Sequence, residues 1–246
     1  MAAAYDNFDY PSYWEGREYE HKSEVLAIKK LLQEIQTIDR FLEIGGGYGR
    51  LIPSYIYRSK RVVFTDPSAK LLSIAKTDTK AKNVKYIQSK IENLKGKVKA
   101  GTFDVVLCVR VLHHIQSIEE LFQTSENFLK KGGYFLLEYP NKRHFKAVLS
   151  EFVRGNLTFY SDIFPKDLSA KNDTLPFVNY HPDEIEMKLH QSGFEIISLL
   201  SVSNIRSEFL KKHLPLEFVL WLEKLLQKPL SKVRFGPSMF LLAKKR

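Results

Sequence analysis

The sequence predicts an α/β fold, a doubly wound and mostly parallel sheet of seven strands with helices on both faces, and three observations predict it. Strand-like and helix-like segments alternate from residue 24 to 138, the pattern of right-handed βαβ units. Phe103 to Val109 is a nearly continuous apolar run, as a strand covered on both faces requires. Arg40 to Ile44 reads as a strand that runs directly into Gly45-Gly46-Gly47, where a chain can turn sharply beneath a ligand.

In chain order, residues 1–23 are polar and aromatic and form a cap segment. A helical pattern begins at Ser23 and carries Leu26, Ile28, Leu31, Leu32 and Ile35. After the strand Arg40–Ile44, Leu51 to Ser59 reads as helix. Arg61 to Thr65 is a β-branched strand ending at Asp66-Pro67, and Ser68 caps a helix through Lys76. Val84 to Gln88 and Phe103 to Val109 are the third and fourth strands. Ile118 to Leu129 is a helix stopped by Gly132-Gly133, and Tyr134 to Glu138 is the fifth strand. Pro182 to Gln191 is helical, while Phe194 to Val202 and Pro237 to Ala243 complete the strands. Segments 141–180 and 204–232 interrupt the alternation as helical, lid-like insertions, the second with a helical stretch from about Ser207 to Leu226. The whole of 1–246 is expected to form a single domain.

Hydrophobic residues make up 44% and charged residues 27%, ordinary for a globular chain. The single cysteine, Cys108, excludes an internal disulfide and a cysteine zinc site; its apolar run implies a buried thiol. Neither a signal peptide nor an apolar run of membrane-spanning length is present, so a cytoplasmic location is expected, with peripheral membrane association open. The net charge is +10, and it is concentrated. Between Arg58 and Lys99 there are 12 Lys or Arg against 3 Asp or Glu. This stretch is either a solvated face or an electropositive edge for an anionic surface, membrane or nucleic acid.

The glycine turn reads Glu43-Ile44-Gly45-Gly46-Gly47-Tyr48-Gly49-Arg50. A dinucleotide turn wants G-x-G-x-x-G, with its third glycine where helix meets strand. Arg50 occupies that slot and is too bulky. The glycines follow G-x-G-x-G instead, and Glu43 precedes them. A carboxylate there opposes a pyrophosphate but suits a cationic amine.

Glu43-x-Gly45-x-Gly47-x-Gly49 resembles the first motif of the class I, Rossmann-like S-adenosylmethionine-dependent methyltransferases, in their small-molecule, quinone-biosynthesis-like branch. Asp66, 21 residues after Gly45, matches the acid that bonds both ribose hydroxyls in that family. The segment Phe103 to His114 is similar to its fourth-strand motif. Leu129-Lys130-Lys131-Gly132-Gly133 resembles its approach to the fifth strand, and Pro237 to Lys245 its closing strand, which implies an antiparallel last strand. The resemblance implies S-adenosyl-L-methionine as cofactor, S-adenosyl-L-homocysteine as product, and no metal. The cofactor-binding residues it implies are Tyr13, Arg17, Glu43, Gly45, Gly46, Gly47, Gly49, Asp66, Pro67, Ile91, Val109 and Arg110. Within the N-terminal segment, Arg17 is expected to pair with the cofactor carboxylate and Tyr13 or Tyr19 to cover the site. One position departs from the family. Lys90 stands where many relatives carry an acid for the adenine amine, and lysine cannot accept that bond. Ser89, Glu92 or the backbone of Ile91 must serve instead.

An O-acceptor also needs a general base. His113 and His114 after the fourth strand, Tyr139 after the fifth, and His181 before a helix are the candidates, alongside Glu138 and Asn141 near the same rim. Apolar residues crowd 144–164 and 209–226, the latter beside Lys211, Lys212 and Lys224, as lid packing, a dimer seam or a surface for a lipophilic acceptor or membrane. Three functions are open: methyl transfer to a small, lipophilic acceptor; methyl transfer to nucleic acid or protein; or non-catalytic cofactor binding. An N/D-P-P-Y/F tetrapeptide, common in base-amine methylation, is absent after the fourth strand. Monomer and homodimer are both compatible with the sequence.

Overall fold

A computed structural model describes residues 10–115, 117–168 and 177–246. The main sheet has seven strands: β1 Ile38–Ile44, β2 Ser59–Asp66, β3 Val84–Gln88, β4 Phe103–Cys108 and β5 Leu129–Pro140, then, after a small ribbon β6 Lys166–Asp167 and β7 Val178–Asn179, β8 Phe194–Val202 and β9 Ser238–Lys245. Their order is β3-β2-β1-β4-β5-β9-β8. β1 to β5 pair in parallel, and β9 runs antiparallel to both β5 and β8. The last strand is therefore the reversed one. The winding direction changes between β1 and β4, which opens a crevice at their carboxyl ends.

The described helices are α1 Tyr10–Tyr13, α2 Glu18–Leu32, α3 Ile52–Tyr55, α4 Ala69–Thr79, α5 Ile118–Phe128, α6 Phe145–Val153, α7 Pro182–Gln191, α8 Glu208–His213 and α9 Leu216–Ser231. Alternate strand residues serve opposite faces. Phe41, Val105, Leu107 and Leu136 pack with Ile28 and Leu31 of α2, Ile52 and Tyr55 of α3, and Ala75 of α4. Leu42, Val106, Phe135 and Leu241 pack with Leu121 and Phe122 of α5 and with Ile185 and Leu189 of α7. Each such fully buried Val, Leu, Ile or Phe side chain contributes about 1.5–3 kcal/mol, so both faces anchor the strand ends that carry the crevice.

Several boundaries differ from the sequence reading. α2 starts at Glu18 rather than Ser23, because the polar residues before Ser23 continue the helix and Tyr19 docks on α9. The helix expected over 51–59 is one α turn plus a 3-10 turn, Ile56–Arg58, and β2 already begins at Ser59. α5 ends at Phe128, and the two glycines that were to stop it lie inside β5. The stretch 207–226 is two helices separated at Pro215, whose missing N–H suits a helix start; the second runs on to Ser231. Segment 141–180 contains α6 and the β6–β7 ribbon, and its residues 169–176 lie outside the described residues. The basic stretch 58–99 forms β2, α4, β3 and the turn after it, at the sheet edge where β3 has no outer neighbour among the described residues. Among the described residues no helix is long and apolar enough to cross a membrane.

Candidate functional site

A cleft of about 500 Å3 lies at the carboxyl ends of β1, β2 and β4. Gly45, Gly47, Asp66, Pro67, Ile91, Arg110 and His114 line it, together with Tyr10, Ser89, Lys90, Glu92, Val111 and Ile115. The turn needs its glycines for two reasons. Gly45 has φ +67°, and a Cβ there would lie 2.3 Å from Val111 Cγ2. Gly47 has φ +60° and sits under the Tyr10 ring. Both keep backbone open toward the cleft.

Asp66 ends β2 nearly buried, yet borders the cleft. Its Oδ2 accepts from Gly47 N and its Oδ1 from Ser68 N, each at 2.8 Å. The carboxylate is thereby fixed against the glycine turn at the edge of the cleft. Ser68 also caps α4 by accepting from Leu71 N.

Arg110, two residues after β4, has φ +61°, a costly conformation for a non-glycine residue. Glu138 compensates: its Oε2 accepts from Arg110 N at 2.9 Å and its Oε1 from Ser238 Oγ at 2.5 Å. Burial raises the Glu138 pKa, against the opposing pull of Arg110. The Arg110 guanidinium reaches Glu24 Oε1, with Nε at 2.8 Å and Nη2 at 2.7 Å. Arg50 Nη2 meets Glu24 Oε2 at 2.5 Å, and the Trp14 ring lies 3.6 Å from the Arg50 guanidinium. Burial alone would raise the Glu24 pKa, but Arg50 and Arg110 reverse this and hold it below the usual carboxylate range. One buried carboxylate thus ties α2, the glycine turn, the end of β4 and the N-terminal cap together.

The two adjacent histidines divide. His114 lines the cleft, while His113 lies beneath it, buried, with ring centroids 3.8 Å apart. The Phe177 ring also packs on His113, with centroids 4.6 Å apart. Burial, then the neighbouring His114 and Arg110, push the His113 pKa well below its ordinary value, so its ring stays neutral.

Other expected site residues are placed elsewhere. Tyr139 is fully buried in the core, and burial pushes its phenol pKa far up, so it meets no acceptor. His181 is the buried N-cap of α7: its Nδ1 accepts from Asp183 N, and Nε2 lies 3.2 Å from Tyr160 O. Asn141 is structural, its Nδ2 donating to Arg234 O and Gly236 O. Tyr13 is partly exposed beneath the Arg17 guanidinium, which borders a groove with α8 and not the glycine turn. Tyr19 donates to the buried Glu223 and holds α9. The residue over the turn is Tyr10, three positions before Tyr13 in the same aromatic cluster, a shift that spacing alone does not reveal.

Glu43 lies below the turn, buried and bonded by the Tyr55 hydroxyl, and does not border the cleft. Burial pushes its pKa up to about 7, opposed by the Tyr55 bond and Arg50. Gly46 and Gly49 serve packing, under Phe64 and against Ala75 respectively. Val109 belongs to the core and not to the cleft lining. Pro67 and Ile91 do border the cleft, as do both alternatives for the adenine amine, Ser89 and Glu92. The residues present fit an adenosyl cofactor with a charged methionine end: an open glycine backbone, a fixed carboxylate, an apolar wall of Ile91, Val111 and Ile115, and a guanidinium.

The fold is that of known methyltransferases. A structure from Listeria monocytogenes titled an S-adenosylmethionine dependent methyltransferase is 19% identical, with TM-score 0.66, covering 93% of this chain and 99% of that one. A Thermotoga maritima SAM-dependent methyltransferase is 17% identical, with TM-score 0.61, covering 99% and 98%. In sequence, a ubiquinone biosynthesis O-methyltransferase from Rhizobium johnstonii is 30% identical over 165 residues, 67% of this chain and 63% of that protein. One of the same name from Coxiella burnetii is 27% identical over 185 residues, 74% of this chain and 75% of that protein. This chain therefore spans less than two thirds of the Rhizobium relative. A methyltransferase-domain family model matches residues 13–199, and the chain belongs to that methyltransferase family.

Proposed function

We propose that this chain transfers a methyl group from S-adenosylmethionine to a hydroxyl of a small lipophilic acceptor. The observation that carries the reading is the shared cleft: the fixed Asp66 carboxylate and the His114 ring border one cavity at the switch in strand order. The relatives named ubiquinone biosynthesis O-methyltransferase favour an oxygen acceptor on a lipophilic small molecule.

When bound, S-adenosylmethionine supplies a methyl group already activated by its sulfonium. Asp66 would accept from the ribose hydroxyls, and Ser89, Ile91 and Glu92 would hold the adenine. Arg110, oriented by Glu24 and Glu138, would hold the methionine carboxylate, while Tyr10 above Gly47 would exclude water. His114 would take up the proton that the acceptor hydroxyl loses. His113, held neutral, packs against the His114 ring and fixes its position.

Transfer of labelled methyl to a lipid-soluble phenol tests this. His114→Ala is expected to lower kcat by about 10²–10⁴, with cofactor affinity unchanged. Full activity of that variant removes His114 as base. Label appearing only in RNA or protein replaces the acceptor class.

A further inference from the structure

Cations of the basic stretch 58–99 converge with one from β1. Arg40 of β1 pairs with Arg61 of β2, and Val63, two residues on, pairs with Lys85 of β3. Alternate strand residues share a face, so Arg40, Arg61 and Lys85 point the same way from three adjacent strands. Such strands lie about 4.8 Å apart, which sets the three in a slanting row across the sheet. Lys82, just before β3, joins them, and the four line a hollow of about 320 Å3 together with Phe103 at the start of β4.

The chain leaves this hollow open and its charge uncompensated. Between β2 and β3, α4 packs on the opposite face, with Phe64 and Phe41. The return from β3 to β4 carries only the 3-10 turn Ile91–Asn93, so it lays no α-helix over the hollow. No acid lines it. Asp39 and Asp104, which lie beside Arg40, are engaged by Lys60 at 2.8 Å and by Lys130, and Asp104 also accepts from Asp39 N and Arg40 N. Among the described residues none of the four cations has an ion-pair partner. The Arg40 guanidinium instead lies 5.1 Å from the Phe103 ring centroid. Lysines on an edge strand commonly serve to block pairing with another sheet. That role needs neither a concavity nor Arg40, which stands on the third strand in from the edge.

We propose that this hollow is a second ligand site, for a compact anion bearing two linked phosphates. Four like charges around one concavity focus a field that draws multiply charged anions. Two guanidiniums offer forked N–H donors to phosphate oxygens, and two lysines add mobile charge at the rim. The volume is at the small end of small-molecule sites. A nucleic-acid strand calls for cations that track along a surface, whereas these converge on one point. The hollow lies at the amino-terminal ends of the strands and the cofactor cleft at their carboxyl ends. Arg61 and Asp66 are five residues apart on β2, roughly 16 Å, so both sites can be filled together. The site stands whatever acceptor the cleft takes.

Calorimetric titration of the full chain with sodium pyrophosphate, at low salt and without divalent cations, tests the proposal. The wild type should bind one pyrophosphate per chain, at least about tenfold more tightly than orthophosphate, and equally well when S-adenosylmethionine is present. Arg40→Gln with Arg61→Gln should weaken binding by about tenfold or more, and so should the exposed pair Lys82→Gln with Lys85→Gln. Lys146→Gln with Lys232→Gln removes the same charge from exposed positions elsewhere and should bind as wild type. Adenosine diphosphate binding more tightly than pyrophosphate would assign the phosphates to a nucleotide; weaker binding would assign them to the free diphosphate. Four results overturn the proposal: no binding of pyrophosphate by the wild type; equal loss in the groove variants and the distant pair; displacement of pyrophosphate by S-adenosylmethionine; or a single-stranded oligonucleotide that binds more tightly than pyrophosphate, with affinity rising with its length.

Discussion

The glycine-turn half of the molecule and its cap-and-lid half are built by different means. Around β1, β2 and β4, backbone geometry at the strand ends makes the site: Asp66 accepts from the Gly47 and Ser68 N–H groups, and Gly45 fits against Val111, just beyond the neighbouring strand. The cap and lids are held by buried charged side chains, each of which gathers partners from other elements. Glu24 gathers Arg50 and Arg110; Glu223 accepts from Tyr19 and from Ser203 N and Asn204 N; Lys142 collects Asp162 and Phe164. The first half is a rigid cradle. The second is a set of straps, each fastened at one polar point, and those points can be cut one at a time.

The largest effect is expected from cutting the cap. Glu24→Ala leaves two guanidiniums near each other without their acid, and removing one partner of a buried ion cluster costs about 3–5 kcal/mol. Urea unfolding should show that loss, and limited proteolysis should cleave first near residues 10–17. An unchanged midpoint and uncut cap would show that the cap is held by its aromatics alone.

A smaller effect, in the cradle itself, is set by pH. Glu43 has its pKa raised to about 7 by burial, so folding favours its protonated form. Its contribution is fully present below the ordinary glutamate range, near 4.5, and is lost as pH rises through about 7. The loss should reach about 3 kcal/mol at pH 8. Comparing wild type with Glu43→Gln by urea unfolding at pH 5 and pH 8 isolates it: the wild type should lose stability relative to the variant. A difference that stays flat with pH would place the Glu43 pKa at its ordinary value.

The same contrast explains what the sequence disclosed. β3, α7 and β8 have the bounds that pattern alone predicts, because period and turn chemistry are local. The G-x-G-x-G turn and Asp66 were legible for the same reason. Glu24 was not: in the sequence it is one acid in an ordinary amphipathic helix, and its two partners are 26 and 86 residues away. His113 and His114 look equivalent as neighbours, but one step along a 3-10 turn sends one into the core and the other into the cleft. Tyr139 sits on a rim strand where alternation decides between core and cleft, and its side faces the core. Glu43 suits an amine by charge, yet Tyr55 holds it below the turn.

The central claim is that Asp66 grips the cofactor in the cleft, and calorimetric titration with S-adenosylmethionine tests it most directly. Wild type should bind, and Asp66→Ala, verified as folded by its melting curve, should bind about 100-fold more weakly, the value of losing charged hydrogen bonds to the ligand. Equal affinity in the two proteins, or no binding by the wild type, would contradict the account.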